Sequence, residues 1–485
     1  MLLDANVHWT AVAWRAFVSA VACWALYSVA VYVYRLTLHP LAGYPGPKFA
    51  AASYLYEFWH DVVLDARYTE EIAKLHERYG PLIRINPHEL HCSDPSFVDV
   101  LYPVAGNRRR NKTEHQMSGF GGLSLCGRGW FDAGGAFNCF TTDAIVEYCY
   151  GESPGFLDQE GWQPNCKDVF EALETRSHFT RHLPWLARSI MRTMSGTYDS
   201  PLRYHVQMPE RLKRVIAVGG TDEAKTRPVF AELLRSDLPP HEKTPKRLAY
   251  DSNGAALAGP QSTATALSNI VYRLVKQPDI AKRLREEVMA NVPDPKELPS
   301  WPTLEQLPYL SAVILEGLRL IFDFSQERLS YEPSQERLAR VAVDEDLQYE
   351  DDGGVESGHL PAKTVYTIPR GTAVGMSACL VHLDESIFPE ANAFRPERWL
   401  DDAGQRHSRL DRHLLSFSKG SRFCVGFQLA YCVLYVSVAE LALRVLPRLE
   451  VRDRRRHGDE QVYNDDGEKE PRKTTKGYDM RVVDV

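Results

Sequence analysis

One ten-residue run constrains this chain more than any other: Phe417-Ser418-Lys419-Gly420-Ser421-Arg422-Phe423-Cys424-Val425-Gly426. Its cysteine is bracketed by glycines, which permit tight turns and let a flat group approach where side chains would block it. Phe417 can keep water from the sulfur, and Arg422 can meet an anion. A helical pattern starts at Gly426 and runs to Val445, so the positive end of a helix is aimed at Cys424 and can tune a thiolate. An unpaired cysteine is most often an inert core residue. That alternative gives no reason for Phe, Gly, Arg, Cys and Gly to stand in this register.

The chain is long enough, at 485 residues, for one large catalytic body or several average domains. Its 25% charged and 44% hydrophobic residues are ordinary for a globular protein. A formal charge of −7 argues against binding nucleic acid by neutralising phosphates. The nine cysteines are odd in number and have no repeated spacing, which indicates a reducing compartment rather than a disulfide framework.

Ala16 to Tyr34 is nineteen residues without a charge, between Arg15 and Arg35. That length suits a helix crossing a bilayer, and Trp24 and the tyrosines suit its interfaces. A secretory signal would be shorter and end in small residues. Residues 1–38 are therefore expected to be an uncleaved transmembrane anchor, although Arg15 weakens the charge asymmetry that sets orientation. Residues 39–48 form a hinge, with three prolines and two glycines between His39 and Pro47. Residues 49–485 are the expected catalytic domain.

Within that domain, Glu70 to Tyr79 has helical period and stops at Gly80-Pro81, and strands are expected on either side of Asn86-Pro87. Residues 118–140 are glycine-rich without clear period; helical patterning returns at Asp143 and continues, with breaks, to Met194. Arg247 to Val275 reads as a long helix interrupted at Gly259-Pro260. Helices are expected at Asp279–Ala290 and Leu310–Leu320, strands between Ala339 and Pro369, and a solvated tail with one late strand after Arg452. Ser325-Gln326-Glu327-Arg328-Leu329 recurs nine residues later, too short a repeat to define a solenoid.

The run from Phe417 to Gly426 resembles the cytochrome P450 signature at every defined position. Glu316-Gly317-Leu318-Arg319 resembles the family's Glu-x-x-Arg, which alone would be a common surface ion pair. Phe394-Arg395-Pro396-Glu397-Arg398-Trp399 resembles the segment whose arginine joins that pair, and Arg337-Leu338-Ala339-Arg340-Val341 the strand whose second arginine holds a haem propionate. With the anchor, the hinge, Leu75 to Pro81 and Arg84 to Leu90, the chain is similar to the fungal trichodiene-oxygenase-like group. The resemblance implies a mainly α fold with a smaller β portion, with haem b bound through Cys424. An axial thiolate pushes electron density onto iron and favours O–O cleavage. Arg340 and Arg422 would hold propionates, Phe417, Gly420 and Gly426 would shape the ligand loop, and Glu316, Arg319 and Arg398 would form a buried triad. It further implies O2, a hydrophobic substrate such as a terpenoid or other secondary metabolite, and NADPH-cytochrome P450 reductase as electron donor. The expected location is the endoplasmic reticulum membrane, single-pass, with a cytosolic catalytic domain.

Three departures stand out. At the oxygen-activating segment, Ala258-Gly259-Pro260-Gln261-Ser262-Thr263 puts Gln261 at the acid position and Ser262 at the threonine position. Ser262 keeps a hydroxyl, but Gln261 cannot deliver a proton as a carboxyl group does. Residues 118–140 contain nothing like the family helix that faces the propionates, and Trp130 does not replace it. Ile321 to Arg328 reads as an insertion. Both look like misplaced exon boundaries. Two competing functions follow: an oxygen-independent haem-thiolate isomerase or dehydratase, favoured by Gln261, and an impaired or inactive remnant, favoured by the lost helix. His178 and His182 lack the glutamate of a zinc helix. Arg108–Arg110 and Arg452–Arg456 suit solvated faces, anionic lipid or an acidic redox partner. Gly119, Gly121 and Gly122 follow no strand that would make a dinucleotide loop.

Overall fold

A computed structural model describes residues 18–19, 22–23, 26–64, 67–102, 110–111, 131–159, 162, 211–215, 228–292, 298–321, 339–351, 364–453 and 478–482. His178, His182, Trp130 and the segments 112–130 and 322–338 lie outside them. The chain divides into two compact units: residues 1–116, 334–381 and 420–422, and residues 117–333, 382–419 and 423–485. The longer helices are α1 Tyr68–Tyr79, α2 Ala133–Tyr150, α3 Pro245–Lys276, α4 Pro278–Asn291, α5 Pro308–Arg319 and α6 Phe427–Arg444. The strands are β1 Leu82–Asn86, β2 Glu89–Cys92, β3 Arg110–Asn111, β4 Phe131–Asp132, β5 Arg340–Ala342, β6 Leu347–Asp351, β7 Thr364–Ile368, β8 Ala373–Gly375, β9 Leu449–Asp453 and β10 Tyr478–Val482. The expected balance of helix over strand is what the structure has.

The first unit is built on the sheet β1-β2-β8-β5-β3, with β6 and β7 as a separate antiparallel pair. Strand β2 runs antiparallel to β1 and parallel to β8. Helix α1 has Glu70 and Glu71 in its first turn and His76 and Arg78 in its last, matching its dipole. Its buried face, Tyr68, Ile72 and Leu75, packs on Ile83 and Ile85 of β1. The hinge is not a free spacer. The buried Arg84 guanidinium donates to the carbonyls of Arg35, Leu41 and Pro87 at 2.9, 3.2 and 2.8 Å, and the Arg84 amide donates to Pro45 O at 2.7 Å. Gly46 has φ +146°, and a Cβ there would strike the Arg84 carbonyl, so only glycine fits.

The second unit is helical. Leu267, Ile270, Val271 and Leu274 of α3 pack with Leu284 and Val288 of α4, Leu310, Val313, Ile314 and Leu318 of α5, and Leu434 and Val438 of α6. Each such side chain contributes roughly 1.5–3 kcal/mol when fully buried. Gly317 lets α5 and α3 meet: a Cβ at that position would collide with Ile270, and Asn269 Nδ2 donates to Gly317 O at 2.8 Å. Helix α6 is long and apolar enough to cross a membrane, but Val433, Leu434, Tyr435, Val438 and Ala439 are buried in this core.

Two expectations are corrected here. Helix α3 is not interrupted at Gly259-Pro260 but runs through thirty-two residues. Proline removes one N–H donor from the ladder, and the neighbouring α2 contributes a bond nearby, with Thr141 Oγ1 donating to Pro260 O at 2.8 Å. The helix placed from Asp143 begins ten residues earlier. Asp132 caps it, accepting from Gly134 N at 3.0 Å, and Gly151 ends it in the left-handed region. The glycines at 134 and 135 hid this start because they lower helix propensity; packing along α3 overrides that preference. The late strand is present as β10, paired with β9 and β4.

Candidate functional site

The cysteine loop of the second unit is closed by backbone geometry. Ser418 N donates to Leu415 O at 2.8 Å and Cys424 N to Phe417 O at 3.0 Å. Ser418 and Gly420 take φ of 58° and 73°, a left-handed turn that glycine adopts without strain. Gly426, with φ −84°, imposes no such demand, but a Cβ there would meet nothing within 4 Å. Phe417 packs its ring 5.8 Å from Phe427 and 5.2 Å from Tyr431, centroid to centroid. Helix α6 starts three residues after Cys424, so its free N–H groups point back along the loop. Cys92, Cys139, Cys149 and Cys379 are buried, whereas Cys424 is exposed. An exposed thiol on a closed loop is not a packing cysteine.

The first unit carries the two expected propionate donors. Arg340, on β5, is 2% exposed, donates Nη1 to Ala339 O at 3.0 Å and lies 5.3 Å from the Tyr102 ring centroid. Burial lowers its pKa; the like charge of Arg422 lowers it further, while Tyr102 opposes the shift. Arg422 is exposed, so of the two guanidiniums only that of Arg340 is buried. Within the second unit the residues fit a haem ligand: an accessible thiol ahead of a helix N-terminus, with open space beside Gly426; the arginines of the first unit are of a chemistry that suits carboxylates.

Glu316, Arg319 and Arg398 do meet, and with more partners than expected. Arg319 grips Glu316 with two parallel bonds, Nη2 to Oε1 at 2.7 Å and Nε to Oε2 at 2.9 Å. Arg398 Nε donates to Oε1 at 3.0 Å, Arg395 N to Oε1 at 2.9 Å and Trp399 Nε1 to Oε2 at 2.9 Å. Arg319 Nη1 also donates to His382 O and Ala391 O, both at 2.7 Å. Glu316 and Arg319 are buried completely at their side chains. Trp399 was visible in the sequence beside Arg398 but carried no assigned role; His382, discussed below, left no signal at all.

The stretch of α3 around Gln261 and Ser262 is tied to α2. Gln261 Oε1 accepts from Asn138 Nδ2 at 2.7 Å, and Ser262 Oγ donates to Ala258 O at 2.7 Å, back into its own helix. Asn138 is fully buried. Its partnership with Gln261 joins two helices and was invisible in the sequence, since the residues stand 123 positions apart.

The cytochrome P450 family model matches residues 125–328 and 360–446. The chain is 50% identical to cytochrome P450 monooxygenase ppzE of Metarhizium majus, over 81% of this chain and 93% of that protein. It is 47% identical to the protein of the same name from Metarhizium rileyi, covering 88% and 91%. N-acetyltryptophan 6-hydroxylase ivoC of Emericella nidulans is 32% identical, covering 86% and 88%.

Glu316→Gln is expected to leave two buried guanidiniums without their charge partner. Urea unfolding should show a loss of about 3–5 kcal/mol, against little change for Arg283→Gln, which removes an exposed pair with Glu397.

Proposed function

This chain belongs to the cytochrome P450 family of haem b monooxygenases, and on that premise we propose that it oxidises a hydrophobic small molecule of fungal secondary metabolism, with Cys424 as the residue that would hold the haem iron. When bound, the haem supplies dioxygen activation: one oxygen atom enters a C–H bond, the other leaves as water, and two electrons come from NADPH through a reductase. Cys424 holds the iron, and the start of α6 favours the thiolate over the thiol. Arg340 and Arg422 pair with the propionates. Phe417, its ring held by Phe427 and Tyr431, would close one side of the ligand loop once haem covers the sulfur, and Gly420 and Gly426 would leave room for the ring. The single observation that carries this reading is an exposed cysteine on a closed loop within the complete ten-residue run. That ivoC is named a hydroxylase of N-acetyltryptophan supports a small organic substrate hydroxylated at carbon. Cys424→Ala should abolish the red-shifted Soret band of the reduced carbon monoxide complex, and an unchanged band would sink the assignment.

Ser262 and Gln261 take the hydroxyl and acid positions, but an amide held by Asn138 carries no transferable proton. Coupling is therefore poor in this reading, with much of the NADPH ending as peroxide. A carboxylate at 261 would find the Asn138 donor already in place. Gln261→Glu with Ser262→Thr should raise product formed per NADPH, and an unaltered ratio would mean that water or another group supplies the protons. The same amide favours a second reading, an oxygen-independent isomerase or dehydratase; product formed without dioxygen would select it.

The protein is anchored in the endoplasmic reticulum membrane by residues 1–38, with its catalytic domain in the cytosol. Residues 26–37 are helical, and Leu26, Tyr27, Val29 and Val33 are each more than half exposed, an apolar surface that water disfavours and lipid accepts. The full chain should stay with carbonate-washed membranes and a chain lacking residues 1–38 should be released; retention of both alike would contradict a single N-terminal anchor.

A further inference from the structure

His382 ends the short helix Ala378–His382 and is fully buried in the second unit. Its ring nitrogens have partners that define its protonation. The Arg319 carbonyl, 3.0 Å from Nδ1, can only accept, and the Leu415 amide, 2.8 Å from Nε2, can only donate. The ring is therefore neutral, with its proton on Nδ1. Burial, then the nearby Arg319 guanidinium, pushes its pKa down to about 3, against weaker opposing contributions from the Arg319 and His413 backbones. One imidazole thus joins the last residue of α5, which carries the buried ion triad, to the first residue of the cysteine loop. Next to it, Ser416 Oγ donates to Leu318 O at 2.8 Å, a second tie between the same two segments. Leu415 is itself 2% exposed, so in the folded protein its amide is satisfied by the imidazole rather than by bulk water.

We infer that His382 is a positioning residue for the thiolate loop: as a neutral acceptor it fixes Leu415, and through the turn closed by Cys424 N and Phe417 O it sets where the sulfur sits. The inference rests on the reading of Cys424 as the haem ligand. It separates the two ring nitrogens. The Nδ1 bond ends the α5 helix and is structural, whereas the Nε2 bond is the one that reaches the loop.

Two substitutions divide these roles. In His382→Asn the side-chain amide reaches the Nδ1 position and keeps the donor to Arg319 O, but not the acceptor for Leu415. In His382→Gln the amide oxygen reaches the Nε2 position and keeps that acceptor. The full-length protein is purified with haem, and two quantities are read: the Soret band of the reduced carbon monoxide complex, and hydrogen exchange of the peptide containing the Leu415 amide. The expected result is that His382→Gln keeps the red-shifted band and slow exchange. His382→Asn should shift most of its band to the shorter wavelength of a protein without thiolate ligation and exchange Leu415 about tenfold faster or more, the loss of one buried hydrogen bond. A red-shifted band that survives in His382→Asn overturns the inference, as does loss in both variants alike, which would make the imidazole's packing the cause. If His382→Asn does not fold, exchange in His382→Gln decides: protection as in the wild type upholds the role of the acceptor, and fast exchange refutes it. A wild-type protein that lacks the band would instead overturn the ligand assignment, and the inference with it.

Discussion

A single buried carboxylate organises the second unit. Glu316 accepts from both nitrogens of one edge of Arg319, from Arg398, from the Trp399 indole and from the Arg395 amide. Removing this many ionised groups from water is affordable only because every acceptor site on the carboxylate is met, a condition that buried ion pairs rarely satisfy. The network cannot be assembled piecemeal. Glu316 and Arg319 come from one turn of α5, while Arg395, Arg398 and Trp399 arrive from 79, 82 and 83 residues after Glu316. Closing it therefore commits residues 382–399 to a path against α5, reinforced by the Arg319 bonds to the carbonyls of His382 and Ala391.

The cysteine loop inherits its position from that commitment. Leu415 and Ser416 are held by His382 and by the Leu318 carbonyl, both next to Arg319. From there the left-handed turns at Ser418 and Gly420 and the Cys424–Phe417 bond fix the backbone that carries Cys424. A metal ligand is most useful when its geometry is set before the metal arrives and when outer partners orient it. In the role proposed for Cys424, those outer partners would be the neutral hydrogen bonds to Leu415 and Ser416, with the charges one layer back in the triad.

The distal segment shows a different economy. Helix α3 passes through Pro260 without ending because α2 lies along it and supplies Thr141 and Asn138. That packing engages the Gln261 amide oxygen with Asn138, so the side chain is held in place by the contact between the two helices.

Much of this was legible in the sequence, and the reason is chemical specificity. The Phe417–Gly426 run, the Glu316–Arg319 spacing and Arg398 are residue types for which few other uses exist in that order, and the structure brings the triad together as expected. The patterning that marked α1, α4, α5 and α6 placed those helices to within a residue or two: α1 and α4 bury one face, while α5 is buried on every side and is apolar almost throughout. Where local and tertiary preferences conflict, the sequence misled: glycines masked the first turns of α2, and Pro260 suggested a break in α3 that packing against α2 prevents. What tertiary structure alone decided are the long-range partnerships of polar groups: Asn138 with Gln261, Arg84 with the hinge carbonyls, and His382 with Leu415. None has a local signature, because a buried histidine or amide takes its role from whichever donors and acceptors folding sets beside it.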